Sequence, residues 1–260
     1  MQAAKNLART AAVIISFTAY GVGAQGLVEA MQSPVPFDPP FSYGVVGYLP
    51  NATGGWSFTP SQMIKVDSLG CILGNTYMTT GVQVGLWKAD GTLLSSNTVY
   101  SNSPQINTSQ YEPITPVFLN AGSTYFIAGH AATNNWIICG AGAPAMATQV
   151  GFNGYAYSAA NTGFVFPTND PTGSAGQFAM VANFEFEAAP ELSIQVTKTN
   201  AVIVFWQAGW TGFVLQENIN PATTNWMMNT NSVTLLENQN QVVIPDLLGA
   251  RYYRLKRGGT

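Results

Sequence analysis

The sequence predicts an all-β protein: a jelly-roll-like β-sandwich followed by a small immunoglobulin- or fibronectin III-like sandwich. Three observations carry that prediction. Apolar and polar residues alternate with a period of two through many short segments. Gly, Pro, Asn and Asp punctuate those segments at short intervals. No stretch repeats apolar residues at the i, i+3, i+4 spacing of a core-facing helix.

The elements follow in order. Lys5 and Arg9 precede an apolar run through Val13, Ile14, Ile15 and Phe17, and Val22-Gly23-Ala24 supplies small residues after it. This is the pattern of a secretory signal peptide, predicted over residues 1–24. The run is too short for a span of about 20 residues, so no membrane span is expected once the signal is removed. The expected location is secreted, periplasmic or at the cell envelope. Residues 25–40 form a Pro-rich N-terminal arm, with Pro34, Pro36, Pro39 and Pro40 each biasing the residue before it towards extended geometry.

A β-sandwich domain is predicted over 41–187. Val82, Val84 and Leu86 face one way and Gln83, Gly85 and Trp87 the other. Asp90-Gly91 then predicts a type I′ hairpin turn, because both residues tolerate positive φ. Tyr125, Ile127 and Gly129 alternate with Thr124, Phe126 and Ala128. Near the end Phe178, Met180, Ala182, Phe184 and Phe186 share one face, with Asn183, Glu185 and Glu187 on the other. Glu185 and Glu187 are expected on a solvated outer face.

After Ala188-Ala189-Pro190 the alternation restarts, predicting a second domain over 191–257. Its strands begin with Leu192, Ile194 and Val196, then Val202, Val204 and Trp206, then Phe213 and Leu215. Val233 and Leu235, Val242 and Ile244, and Tyr252 to Lys256 complete the series. Trp206 is the expected core tryptophan between two sheets.

Composition narrows function. Charged residues are 8% of the chain and the net charge is −3, so no electrostatic footprint for nucleic acid exists. Four of the nine basic residues, Arg251, Arg254, Lys256 and Arg257, fall in the last strand, where charge protects a sheet edge. Cys71 and Cys139 are the two cysteines. Export permits a disulfide between them, and two buried thiols acting as small hydrophobes fit the sequence equally well.

Catalytic chemistry finds little to work with. His130 is the one histidine, and no Gly-x-Ser-x-Gly elbow accompanies it. One histidine and no Cys-x-x-Cys support neither a zinc site nor a redox pair. No Asp-x-Asp calcium loop and no phosphate-cradling Gly-rich loop is present. No catalytic residue, metal or cofactor is therefore assigned. The candidate ligand-binding residues are Trp136, with Asn134 and Asn135 beside it, and Trp87. An exposed aromatic ring can stack on a sugar's C–H face while amides meet its hydroxyls.

Three stretches carry a resemblance. They are Gly55-Trp56-Ser57-Phe58-Thr59-Pro60, Val84-Gly85-Leu86-Trp87-Lys88-Ala89-Asp90-Gly91-Thr92-Leu93-Leu94, and Ile114-Thr115-Pro116-Val117-Phe118-Leu119-Asn120-Ala121-Gly122-Ser123-Thr124-Tyr125. Together they resemble a β-sandwich module of unassigned function in secreted bacterial proteins. Phe213-Val214-Leu215-Gln216-Glu217-Asn218, Asn225-Trp226 and Arg251-Tyr252-Tyr253-Arg254-Leu255-Lys256 resemble a fibronectin-like module that closes exported bacterial proteins. The resemblance brings no active-site residues. The sequence as a whole is read as a non-catalytic module for adhesion, surface structure or recognition, with a glycan or cell-surface partner expected. A carbohydrate-binding protein is the alternative, and a hydrolase with an atypical site is a third.

Cleavage after Ala24 leaves Gln25 as the mature N-terminus. Mass spectrometry of the exported protein should find that terminus; recovery of Met1 outside the cell would show the signal reading to be wrong.

Overall fold

The computed structural model describes residues 27–32, 51–71, 81–107, 109–130, 145–158, 162–168, 182–198, 201–210, 212–245 and 249–258. The predicted signal peptide, Pro34 to Pro40 of the arm, Phe178 and Met180 lie outside the described residues. The described chain is all-β and contains no helix. One compact unit spans Gln25–Ala189, and another includes Pro190–Thr260.

In the first unit the strands are, in chain order, β1 (Val28–Glu29), β2 (Thr53–Pro60), β3 (Ile64–Cys71), β4 (Val82–Lys88), β5 (Leu93–Val99), β6 (Gln105–Ile106), β7 (Ser109–Leu119), β8 (Tyr125–His130), β9 (Val150–Tyr157) and β10 (Ala182–Ala188). They form two five-stranded antiparallel sheets, ordered β5-β4-β8-β2-β9 and β1-β10-β3-β7-β6. Period-two alternation selects one face of each strand for the interior. Trp56, Phe58, Val82, Val84, Leu86, Tyr125 and Ile127 come from the first sheet. Ile64, Val66, Leu69, Leu119, Ala182, Phe184 and Phe186 come from the second. All of them belong to one buried cluster, so the two sheets face each other across a shared core.

Trp56 sits at the centre of that core. Its ring stacks on Phe184 of the opposite sheet (centroids 5.8 Å apart, planes at 19°). Phe58 approaches Phe184 at 4.8 Å. The Trp56 indole N–H donates to the Ala182 carbonyl (2.8 Å), so its one polar atom is satisfied inside the core.

The Asp90-Gly91 hairpin forms, but its turn differs from the expectation. Gly91 N–H donates to Lys88 O (3.0 Å), and Lys88 N–H donates to Thr92 O (2.9 Å). Gly91 has φ +86, whereas Asp90 is absent from the positive-φ residues. A type I′ turn needs positive φ at both central positions. Here an ordinary turn is followed by one left-handed glycine, the three-residue loop with its bulge. A separate irregularity follows further from the turn, where the β4–β5 register shifts between Leu86 and Trp87. Asp90 Oδ1 accepts from Thr92 N–H instead (2.9 Å), which favours an ordinary φ for Asp90.

The second unit contains β11 (Ser193–Val196), β12 (Val202–Gln207), β13 (Phe213–Asn218), β14 (Met227–Met228), β15 (Val233–Leu236), β16 (Gln239–Ile244) and β17 (Tyr252–Arg257). One sheet runs β11-β12-β16-β15 and the other β14-β13-β17. Val202, Val204, Trp206, Leu215, Val242 and Ile244 form its buried cluster, with Leu192, Tyr253 and Leu255 against it. Trp206 thus occupies the core position expected for it. The short strand β14, held to β13 at Gln216↔Met228 and Glu217↔Met227, has no counterpart in the sequence reading.

Replacing Phe184 with Ala should lower stability by about 3–5 kcal/mol, the usual cost of emptying a buried aromatic site. Urea unfolding of the full chain measures this, and a loss below about 1 kcal/mol would show that the Trp56–Phe184 stack is not central.

Candidate functional site

The outer face of the β1-β10-β3-β7 sheet carries a connected group of polar side chains. Strand register builds it. Glu29 lies opposite Glu185 across β1 and β10. Glu185 lies opposite Ser68, and Asn183 opposite Gly70, across β10 and β3. Gly70 in turn lies opposite Tyr111 of β7. A Cβ at Gly70 would sit 2.2 Å from the Tyr111 ring. Glycine there lets the ring lie across β3 and reach β10 and β1.

Asn183 is a clamp. Its Oδ1 accepts from the main-chain N–H of Met31 and of Phe184, both at 2.9 Å. Its Nδ2 donates to the Met31 carbonyl (3.0 Å) and to the Tyr111 hydroxyl (2.9 Å). Tyr111 donates to Glu29 Oε1 (2.6 Å), and Asn107 Nδ2 donates to Glu29 Oε2. Ser68 donates to Glu185 Oε2 (2.7 Å). Beside this group Lys65 pairs with Glu187 (3.0 Å) and Asp67 (3.4 Å).

The electrostatics follow from burial and like charge. Burial pushes the Glu185 carboxyl above its usual range; the Ser68 hydrogen bond opposes this, and the charges of Glu29 and Asp67 add to it. Burial raises Asp67 too, against the pull of Lys65. For Lys65 burial favours the neutral amine, but the hydrogen bond and charge of Glu187 and the charge of Asp67 outweigh it, so Lys65 is raised. Tyr111 is raised by burial and then by its bond to Glu29.

The expectation that Glu185 and Glu187 lie on a solvated face is corrected here. Glu185 is 4% exposed. The alternation with Phe184 and Phe186 is as read, but Glu185 is central in its sheet, flanked by Glu29 on β1 and Ser68 on β3. Glu187 is half-buried and paired with Lys65. Two carboxyls side by side can serve as an acid–base pair. These carboxylates instead accept from Ser68, Tyr111 and Asn107, and with Asn183 they join β1, β10, β3 and β7. Among the described residues no three His, Cys, Asp or Glu are placed to hold a metal ion.

The other expected residues separate. Trp87 projects from the outer face of its sheet but is only 3% exposed. Phe164 lies 5.2 Å and Phe166 6.4 Å from it, and Phe166 also meets Phe126 at 4.9 Å. The segment holding these phenylalanines is fastened by Val165 N–H to Thr53 Oγ1 (3.0 Å) and Thr53 Oγ1 to Gly163 O (2.8 Å). Trp87 is therefore corrected from a candidate platform to a covered ring. Trp136, Asn134, Asn135 and Cys139 lie outside the described residues. Cys71 is fully buried, which pushes its thiol up. His130 Nε2 donates to Asn51 Oδ1 (2.8 Å), and burial lowers the imidazole. An amide oxygen partner supplies no nucleophile.

The sequence reading missed the apolar residues that the second unit leaves in solvent. Ile219, Met227, Met228, Val233, Leu235 and Leu236 are all exposed. Strand β15 is apolar at three of four positions, a signal that could have flagged it, because such an edge is open to further pairing.

No protein-family model matches the chain, and no curated protein and no solved structure is significantly similar to it. The resemblances stand on their residues alone. No helix among the described residues is long and apolar enough to cross a membrane.

Glu185→Gln should raise the melting temperature by a few degrees at pH 7–8 and lose that advantage in acid. The sign is set by the raised carboxyl: the folded state prefers the protonated form. The ionised form therefore costs stability above the folded pKa, and the cost fades as pH falls towards the ordinary value. Thermal melts of both proteins across pH check this; a variant that is less stable at every pH would contradict it.

Proposed function

We propose that this chain is a non-catalytic, exported or envelope-associated module acting in adhesion, surface structure or recognition. In this reading the first unit is a rigid support and the second makes the contact. The observation that carries it is the apolar surface of the second unit. Leu235 is 69% exposed on an edge strand, with Val233 and Leu236 beside it in the same strand. Soluble proteins keep contiguous exposed apolar surface small unless a partner covers it. The expected partner is an apolar patch on another protein of the cell surface.

The first unit supports the division of labour. Its carboxylates are engaged in joining strands, and Trp56, Phe58, Phe184 and Phe186 fill one continuous core. Such a unit holds shape rather than changing it.

Leu235→Glu tests the reading. With its side chain in solvent, the substitution should leave the melting temperature within about one degree. Retention of the purified protein on envelopes of the producing cells should fall by roughly tenfold, the effect of losing about 1.4 kcal/mol. Undiminished retention would move the contact away from this strand.

A further inference from the structure

Among the described residues, the strand order of the second unit leaves one edge of its smaller sheet unpaired. The order β11-β12-β16-β15 is that of strands A, B, E and D in an immunoglobulin constant-type sandwich. The facing order β14-β13-β17 supplies C′, C and F. In the full pattern strand G lies on the far side of F. Among the described residues no strand pairs with that side of β17.

Chain connectivity fixes which flank is open. Four residues separate β14 from β15, and they span at most about 17 Å fully extended. Crossing two sheets about 10 Å apart uses most of that length, so β14 and β15 share one flank. β11 and the outer edge of β17 share the other. Ile194 and Val196 of β11 pair with Val204 and Val202, and so face the interior. Yet they are 38% and 40% exposed, while Val202 and Val204 are buried. The position opposite β11 is therefore uncovered. The Tyr253 hydroxyl, on β17, is buried without a hydrogen-bond partner among the described residues.

We propose that this position accepts an extended strand from a partner protein, by addition to the edge of β17. The inference rests on the reading of the second unit as the contact-making one. Backbone phase shows which groups do the pairing. Gly258 N–H donates to Gly212 O (2.8 Å), so alternate residues back along β17 direct their N–H groups to β13. Tyr253 and Leu255 are out of phase with them and present N–H and C=O to the open side.

The side chains define the occupant. Tyr253 and Leu255 face the core, whereas Tyr252, Arg254 and Lys256 face outward. Arg254 is held over the Trp226 ring (4.3 Å) and donates from Nε to Gln216 Oε1 (2.9 Å). Neither contact neutralises its charge. Arg251 has Glu217 at 3.2 Å, but no carboxylate pairs with Arg254 or Lys256 among the described residues. An incoming strand would set apolar side chains over Ile194 and Val196 and acidic ones beside Arg254 and Lys256. The partner is thus an extended segment alternating acidic and apolar residues. A second copy adding its own β17 is disfavoured, because antiparallel edges would bring like charges together.

Amide exchange of the 15N-labelled full chain reads the vacancy directly. The N–H groups of Tyr253 and Leu255 should exchange roughly tenfold or more faster than those of Arg254 and Lys256. An acetylated Thr-Glu-Val-Glu-Val-Glu-Thr amide peptide should slow both, and a Lys-for-Glu peptide should not. Lys256→Glu should weaken protection by the acidic peptide. Protection of Tyr253 and Leu255 in the isolated chain, or protection that grows with protein concentration alone, would overturn the proposal. So would equal protection by both peptides, or none by either. Loss of envelope retention in Leu235→Glu together with failure of the acidic peptide would discard strand acceptance and leave the contact-making role of the second unit standing.

Discussion

The first unit depends on one contact between its sheets. Trp56 reaches from β2 to stack on Phe184 of β10 and to donate its indole N–H to Ala182 O. The hydrogen bond fixes where the ring lies, and the stack fixes which residue of β10 faces it. Phe58 and Phe186 then fill the space on either side of Phe184, at 4.8 and 5.9 Å. Close-packed interiors transmit such constraints. With β2 and β10 set against each other, antiparallel pairing places β8, β4 and β9 around one and β3, β7 and β1 around the other.

The outer face of the second sheet is a consequence of that register. Once Phe184 and Phe186 face inward, Asn183 and Glu185 must face outward. Their neighbours across the sheet decide the rest. Asn183 uses its amide to hold Met31 by both main-chain groups, which fastens the N-terminal segment beside β10. Glu29 brings a second carboxylate opposite Glu185, a like-charged cross-strand pair that costs stability. The hydroxyls of Ser68 and Tyr111 offset part of that cost by donating to each carboxylate. The result is a polar network whose chemistry is spent on holding strands.

The second unit is built with a thinner margin. Its buried cluster comes from the middle strands β12, β16 and β13, with Trp206 its largest member, and Tyr253 and Leu255 of the edge strand β17 pack against it. The edge strands β11 and β15 direct apolar residues to the interior without being covered there. Among the described residues, four strands against three leave one flank of the larger sheet without a facing strand, and a two-residue β14 barely covers the other. Surface of that kind favours contact with something outside the unit.

Much of the fold was legible in the sequence, because strand identity and facing follow from local alternation alone. Val82, Val84 and Leu86 inward, Ala182, Phe184 and Phe186 inward, and Trp206 in a second core were all readable from a period of two. What alternation cannot report is what lies over a face. Trp87 and Glu185 were both read as outward, and both are outward. Trp87 is covered by Phe164 and Phe166, nearly eighty residues away in sequence. Glu185 is enclosed by Glu29 and Ser68, on strands more than a hundred residues away. Burial on an outer face depends on long-range register, and so does the uncovered flank beside β17, which only the strand order reveals. The sequence alone determined which side of each strand is apolar, since that is a property of consecutive residues. Only the tertiary structure decided which of those sides meets solvent, since that depends on residues brought together by folding.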